Sequence, residues 1–232
     1  MTVFAVVTAG GKGVRMQSAI NKSFLPLCGK PMIVHVLEKF EQNPNVDKIV
    51  IVIAQDSQAE LEELLAHFSF SKFASIALGG KERQDSVNNG VQECKALGGK
   101  AEDIVLIHSS CNPLIKQETI SACISAAQEV GASIAAMGMK DTVHQVDGEM
   151  LVEKIMDRSK LWRAQTPQCA KLGVLDGALQ RAFSEHFYGT DEGQLIKRNG
   201  GQVKIVDCGF ENLKITTPED LDIAEKILEK RK

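Results

Sequence analysis

The amino-acid sequence predicts an α/β protein: a Rossmann-like open, mostly parallel sheet with helices on both faces. Three observations carry this expectation. Short apolar, β-branched runs alternate with amphipathic stretches from residue 3 to residue 137, the rhythm of repeated βαβ units. The run KIVIVIA at residues 48–54 is apolar without interruption, as suits a strand covered on both faces. The first strand leads directly into Thr8, Ala9, Gly10, Gly11, Lys12 and Gly13. Open α/β sheets bind ligands at such carboxyl ends.

Residues 3–7 form the first predicted strand. A helix over 32–40 opens after Pro31, which suits a first helical turn. The central strand at 48–54 is followed by a helix at 58–67. A short strand at 74–78 ends in Gly79-Gly80, ahead of a helix over 83–97. A strand at 104–108, a helix at 117–130 and a strand at 133–137 complete the first half. There the rhythm breaks. Residues 140–160 are polar, Asp147-Gly148 is a hairpin signal, and Val143, Val146, Leu151, Val152 and Ile155 flank it. This reads as an antiparallel arm too thin to hold a core, which needs something to pack on; a partner subunit is the natural candidate. The α/β pattern is expected to resume after Gln165-Thr166-Pro167-Gln168 with a helix over 172–185. Next comes a helix capped by Thr190, with Asp191 and Glu192 in its first turn. Strands at 203–207 and 213–216 precede a last helix opened by Thr217-Pro218-Glu219-Asp220. Residues 1–232 are read as one domain bearing the arm at 140–160.

The composition narrows the class. A chain of 232 residues, 44% apolar and 25% charged, is ample for a soluble globular domain with a real core. A net charge of −3 gives no global basic footprint for nucleic acid. The six cysteines form no C-x-x-C pair and no zinc spacing, so reduced thiols in the cytoplasm are expected. The first apolar run lacks the flanks of a signal peptide, and no stretch is long enough to cross a bilayer.

The residues after the first strand point to a nucleotide phosphate. Glycines let backbone N–H groups approach an anion, and Arg15 and Lys22 place two cations nearby. The loop is not a P-loop, because no Gly-Lys-Ser/Thr closes it. It is not a dinucleotide fingerprint, because Arg15 and Met16 stand where a third glycine belongs. Further polar clusters follow later strands: Gly79 to Ser86 with Asp85, His108 to Pro113, and Asp141-Thr142; Lys214 sits on the predicted late strand. Several clusters at one sheet edge indicate a shared site.

Six segments carry a resemblance that spans nearly the whole chain: AGGKGVRM, NKSFLPLCGKPMIVHVL, GGKERQDSVNNGV, RSKLWRAQTPQ, TDEG and NLKITTPEDL. They resemble the methylerythritol-phosphate cytidylyltransferase family, with the ribitol-phosphate cytidylyltransferases as a related group. The resemblance implies a nucleotidyltransferase that moves CMP from CTP to a polyol phosphate, releases pyrophosphate and serves isoprenoid-precursor synthesis. It also implies Mg²⁺ and a homodimer hooked through the arm. Arg15 and Lys22 would hold the triphosphate, and Lys214 would bridge the α-phosphate and the acceptor phosphate. Arg158 and Thr166 would reach the acceptor phosphate from the neighbouring subunit, and Thr190 would touch its hydroxyls. Ala9, Gly10, Gly11, Gly13, Gly79, Gly80, Asp85, Ser86, Ser109 and Ser110 would surround the nucleotide.

One corner departs from the resemblance. Ser109 stands where an aspartate ligand of Mg²⁺ is expected, and Asn112 where an arginine would help hold the acceptor. Asn21 and Ser23 replace Pro and Gln around Lys22, and His144 replaces a lysine. The metal would then rest on the triphosphate and water, borrow Asp85 or Asp191, or bind poorly. Methylerythritol phosphate is the first acceptor expected and ribitol phosphate the second. A nucleotide-binding paralogue of weak or absent transferase activity is the reading from another class. An NAD-dependent oxidoreductase is disfavoured by the missing glycine.

Overall fold

The computed structural model describes residues 1–10 and 21–231 of the chain. In chain order these run through β1 (Val3–Thr8), β2 (Pro26–Leu27), β3 (Lys30–Pro31), α1 (Met32–Gln42), β4 (Lys48–Ile53), α2 (Gln58–His67), β5 (Phe73–Leu78) and α3 (Arg83–Ala96). They continue through β6 (Ile104–Ser109), α4 (Gln117–Val130), β7 (Ala132–Gly138), β8 (Val143–Val146), β9 (Val152–Met156) and β10 (Trp162–Lys171). The last elements are α5 (Leu172–Ser184), α6 (Glu192–Arg198), β11 (Lys204–Asp207) and α7 (Pro218–Lys230).

Seven strands form the main sheet in the order β11-β7-β10-β6-β1-β4-β5. All neighbours pair in parallel except β10, which runs antiparallel to both β6 and β7. The continuous apolar runs have a direct cause. Along β1, Val3, Ala5 and Val7 belong to one core cluster, and Phe4 and Val6 belong to another on the opposite face. On β4 the split repeats, with Ile49, Ile51 and Ile53 on one face and Val50 and Val52 on the other. A side-chain period of two, buried on both faces, leaves no polar position along such a strand. Residues of α1, α2 and α4 cover the first face, and residues of α3, α5 and α6 cover the second. Helix α3 lies tight on the sheet: a Cβ at Gly90 would stand 2.5 Å from Val6 Cγ1 and 2.9 Å from Val52 Cγ2. A third cluster, with Leu27, Met32, Leu114, Ile215 and Ala224, seats α7.

Three expectations need correction. Strand β10 is absent from the sequence reading because Pro167 falls within it, and proline cannot donate to a ladder. The structure accommodates it at a register shift between Ala164 and Gln168. Residues 213–216 form no strand; Ile215 N instead donates to Cys111 O at 2.8 Å, which ties this segment to the loop after β6. The cap of α6 is Asp191 and not Thr190: its carboxylate accepts from Gln194 N, at 2.8 Å. The polar run before α6 offers two capping side chains, and the carboxylate is the stronger acceptor for N–H groups at a helix start.

The arm at 140–160 has the expected hairpin, β8 against β9, which among the described residues pair only with each other. Its apolar side chains face outward, with Met150 at 76%, Leu151 at 62%, Val152 at 56% and Ile155 at 65% exposure. Among the described residues no helix is long and apolar enough to cross a membrane.

Candidate active site at the carboxyl edge of the sheet

The parallel strands β1, β4, β5 and β6 end at one edge, and their loops surround a cavity of about 580 Å³. Backbone bonds fix how each loop leaves its strand. Ala9 N donates to Val52 O at 2.7 Å, Gly79 N to Ile53 O at 2.8 Å, and Ser110 N to Thr8 O at 3.1 Å. Thr8, Gly10, Ala54, Gly79, Ser109 and Ser110 thereby come to one wall. Ala9 does not join them. It is buried, and its carbonyl accepts from Asn21 Nδ2 at 2.8 Å, so it supports the loop from behind instead of touching a nucleotide. Gly11, Gly13 and Arg15 lie outside the described residues.

Lys22 reaches the cavity from a single 3-10 turn, Lys22–Phe24, and is 9% exposed. Two of the unusual residues here have evident roles. Asn21 caps the turn through Oδ1, which accepts from Ser23 N at 3.1 Å, while its Nδ2 reaches the end of β1. The Ser23 hydroxyl lies 2.8 Å from that of Ser110, and both are buried. This pair links the Lys22 turn to the loop after β6.

The loop after β5 needs its glycines. A Cβ at Gly80 would collide with the Cβ of Asp85, because the chain folds back on the first turn of α3. Gly80 N donates to Ser86 Oγ at 3.0 Å, and Glu82 with Asp85 closes a capping box. Gly79, Gly80 and Ser86 line the cavity, together with Lys81, Glu82 and Arg83. Asp85 does not. Its carboxylate accepts from Glu82 N at 2.9 Å and from the Tyr188 hydroxyl at 3.1 Å, so it shapes the loop without facing the cavity.

Four contacts then latch this loop onto residues 187–192. Arg83 makes two parallel bonds to Glu192, each 2.7 Å, and Glu192 is buried. Gln84 donates to Phe187 O at 3.1 Å and accepts from Gly189 N at 2.9 Å. Tyr188 adds the contact to Asp85 already described. Gln168 joins from β10, accepting from Gly193 N at 3.2 Å. The sequence reading missed Arg83 as a site residue, although it stands inside the GGKERQDSV motif.

The corner after β6 is where the sequence departs from expectation. Ser109 lines the cavity; its N–H donates to Thr166 Oγ1 at 3.4 Å, and its hydroxyl accepts from Cys111 N at 3.2 Å. Asn112 lies elsewhere. It is 1% exposed, with Nδ2 at 3.5 Å from Gln165 Oε1 and no hydrogen-bond partner for Oδ1. A short amide held there lines neither this cavity nor the second one described below, which departs from its expected acceptor role. His108 is fully buried beneath this turn and lies edge-on to Phe40. Its Nε2–H donates to Asn112 O at 3.0 Å, since a carbonyl only accepts. Burial pushes its pKa down to about 4, opposed by that hydrogen bond and aided by the positive charge of Lys214, so the ring is neutral near pH 7.

Lys214 lines the cavity, and neighbouring bonds place its backbone. Ile215 binds Cys111 O, Asn212 Nδ2 donates to Thr166 O at 2.9 Å, and Thr216 donates to Asp220. Thr166 lies on this same wall, in the chain's own cavity, where the resemblance had put it in a neighbour's site. The register shift in β10 is what turns it toward Ser109. Arg158 and Thr190 line neither this cavity nor the second one described below. Arg158 donates to Lys140 O at 2.6 Å at the base of the arm, and Thr190 is exposed and bonded to Gln194.

A second cavity of about 330 Å³ shares Lys214 and Thr216 with the first. Arg163, Gln165, Phe210 and Asp220 also line it. The site is thus two compartments that meet at a lysine. The larger has glycine loops and cations suited to a nucleoside triphosphate, and the smaller suits a second, anionic reactant.

The family model for IspD, 2-C-methyl-D-erythritol 4-phosphate cytidylyltransferase, matches residues 3–230. The chain belongs to this family. The protein of that name from Geobacillus kaustophilus is 42% identical over 231 residues, covering 100% of this chain and 99% of the relative. Among solved structures, a 4-diphosphocytidyl-2C-methyl-D-erythritol synthase from Anaerococcus prevotii superposes with a TM-score of 0.86 at 27% identity, covering 98% of this chain and 96% of that one. The Francisella tularensis IspD gives 0.80 at 28% identity, covering 97% and 99%. The mostly parallel α/β fold is thus shared with solved IspD structures.

Proposed function

We propose that this chain transfers the cytidylyl group of CTP to 2-C-methyl-D-erythritol 4-phosphate and releases pyrophosphate, a step of isoprenoid-precursor synthesis. The observation that carries the reading is the position of Lys214, on the wall common to both cavities. An acceptor phosphate oxygen attacks the α-phosphorus of CTP; that P–O bond forms as the bond to the β-phosphate bridging oxygen breaks. No covalent enzyme intermediate is needed, so the protein supplies position and charge. Lys214 would stand beside both reacting phosphates. Lys22, held by Asn21 and the Ser23–Ser110 pair, would meet the triphosphate with Arg15. Gly79, Gly80 and Ser86 would enclose cytosine and ribose with backbone groups, and Thr166 would orient the incoming phosphate.

Magnesium does not find a protein-built site at this corner. No cluster of three acidic, histidine or cysteine side chains exists among the described residues. The Ser109 hydroxyl is a neutral donor already accepting from Cys111 N. The only carboxylate on the larger cavity's wall among the described residues is Glu82, engaged in its capping box. We therefore propose that Mg²⁺ enters on the phosphate oxygens of CTP, with water completing its shell.

The arm supports a homodimer. Burying Met150, Leu151, Val152 and Ile155 yields on the order of 6–12 kcal/mol per arm, enough to oppose the cost of association. Arg158 at its base would then serve the neighbouring site. The six unpaired thiols suit a cytoplasmic enzyme, which cell fractionation checks.

Pyrophosphate release with CTP and Mg²⁺ is the test, run with methylerythritol phosphate and, separately, ribitol 5-phosphate. Turnover is expected with the first, tracking the concentration of the Mg²⁺·CTP complex. Lys214→Ala is expected to lower kcat by about 10²–10³, the loss of one charged group at developing charge. Absence of turnover with both acceptors alongside intact CTP binding would instead favour the nucleotide-binding paralogue.

A further inference from the structure

Among the described residues lining the smaller cavity is one cation, Arg163, whose side chain the fold leaves unpaired. The Arg163 guanidinium makes no hydrogen bond or ion pair with any described residue, although it lines that cavity beside Gln165 and Lys214. It is exposed, and it projects from the part of β10 that precedes the register shift. The surroundings are cationic. The Lys140 ammonium sits 3.5 Å from the centre of the Phe210 ring, and Phe210 is part of the same wall. Among the described residues Asp220 is the one carboxylate on the wall, and it is already engaged: its Oδ2 accepts from Thr216 N, Thr216 Oγ1 and Thr217 N at 2.8–3.0 Å. Asn112, the side chain expected to hold the acceptor, is buried and turned onto Gln165.

We infer that Arg163 is a further substrate-binding residue, which holds the phosphate monoester of the acceptor in the smaller cavity. This rests on the cytidylyl-transfer reading for the identity of that monoester. The chemistry is direct. A phosphate dianion beside Lys214 alone keeps charge uncompensated, whereas a guanidinium offers a planar fork of donors matched to two phosphate oxygens. The nucleotide occupies the compartment lined by Gly79, Gly80 and Lys22, so the acceptor must approach Lys214 from the side that carries Arg163. The contact is made in the ground state as well as at the transition state, so its loss falls on binding.

Arg163→Ala and Arg163→Lys test this against wild type. Arg163→Ala is expected to raise KM for the acceptor about 10–100-fold, with KM for CTP unchanged within about twofold. Arg163→Lys, a point charge without the fork, should fall between. A merely structural role would move both KM values and the melting temperature together. Calorimetry with inorganic phosphate, in the presence of a non-reacting CTP analogue, tests the same contact without turnover. Binding present in wild type and weakened in Arg163→Ala supports the anion site even if no acceptor is turned over, in which case the transfer reading fails and the site stands. Unchanged phosphate binding and unchanged acceptor KM in Arg163→Ala would overturn the inference while leaving the transfer reading intact.

Discussion

His108 shows how one buried side chain sets the geometry of the corner after β6. Its single hydrogen bond, to Asn112 O, closes the turn that presents Ser109 and Ser110. The neutral ring is required, because a charged one would stand desolvated near Lys214 with Nδ1 unpartnered. The sign of the pH effect follows. The folded pKa lies below the unfolded value near 6.5, so the unfolded chain takes up a proton that the folded chain refuses. The stability is whole above pH 6.5 and is lost as pH falls toward 4, by about 3 kcal/mol over that window. His35, whose pKa burial also lowers, adds a slope of the same sign. Carboxylates held below their usual range, such as Asp103 and Asp220, act only further down. Chemical denaturation across pH 4.5–6.5 should show this decline, and His108→Gln should flatten it. An unchanged slope in the variant would assign the titration elsewhere.

At the scale of elements, the N-terminal turn of α3 does two things at once. It closes the glycine loop over the larger cavity, and it grips the segment that leads into α6 through Arg83, Gln84 and Asp85. Gly90 makes this possible by letting α3 sit against Val6 and Val52. Glu192→Gln removes the charge that Arg83 faces. It should cost about 1–3 kcal/mol, less than a fully buried pair would, because Arg83 keeps contact with water. It should also raise KM for CTP several-fold by loosening the loop. Thermal unfolding and steady-state kinetics check both, and a variant with wild-type KM for CTP would reduce the latch to a purely structural contact.

At the scale of the molecule, the arm is the part that the fold does not complete. Its strands pair with each other, and its largest apolar side chains face solvent. Leu151→Asp with Ile155→Asp should convert a dimer to monomers in sedimentation velocity. If Arg158 serves the neighbour's site, activity should fall at least tenfold in the same preparation. A wild-type chain that sediments as a monomer at micromolar concentration would remove the arm from the assembly.

The sequence by itself determined the parallel half of the sheet, because strands buried on both faces leave uninterrupted apolar runs and their helices leave a 3.6-residue period. It also marked the edge where the cavity forms, since Gly79, Gly80, Lys22, Ser109 and Lys214 all stand in motifs whose chemistry is readable one residue at a time. Only the tertiary structure decided β10, whose proline and polar residues contradict a central strand until a register shift absorbs them. It alone turned Thr166 into the cavity, withdrew Ala9, Asp85 and Asn112 from it, and found the partners of Asn21 and Ser23. Which way a polar side chain points depends on hydrogen bonds between segments far apart in the chain, as between Ser23 and Ser110, and no local pattern records those distances.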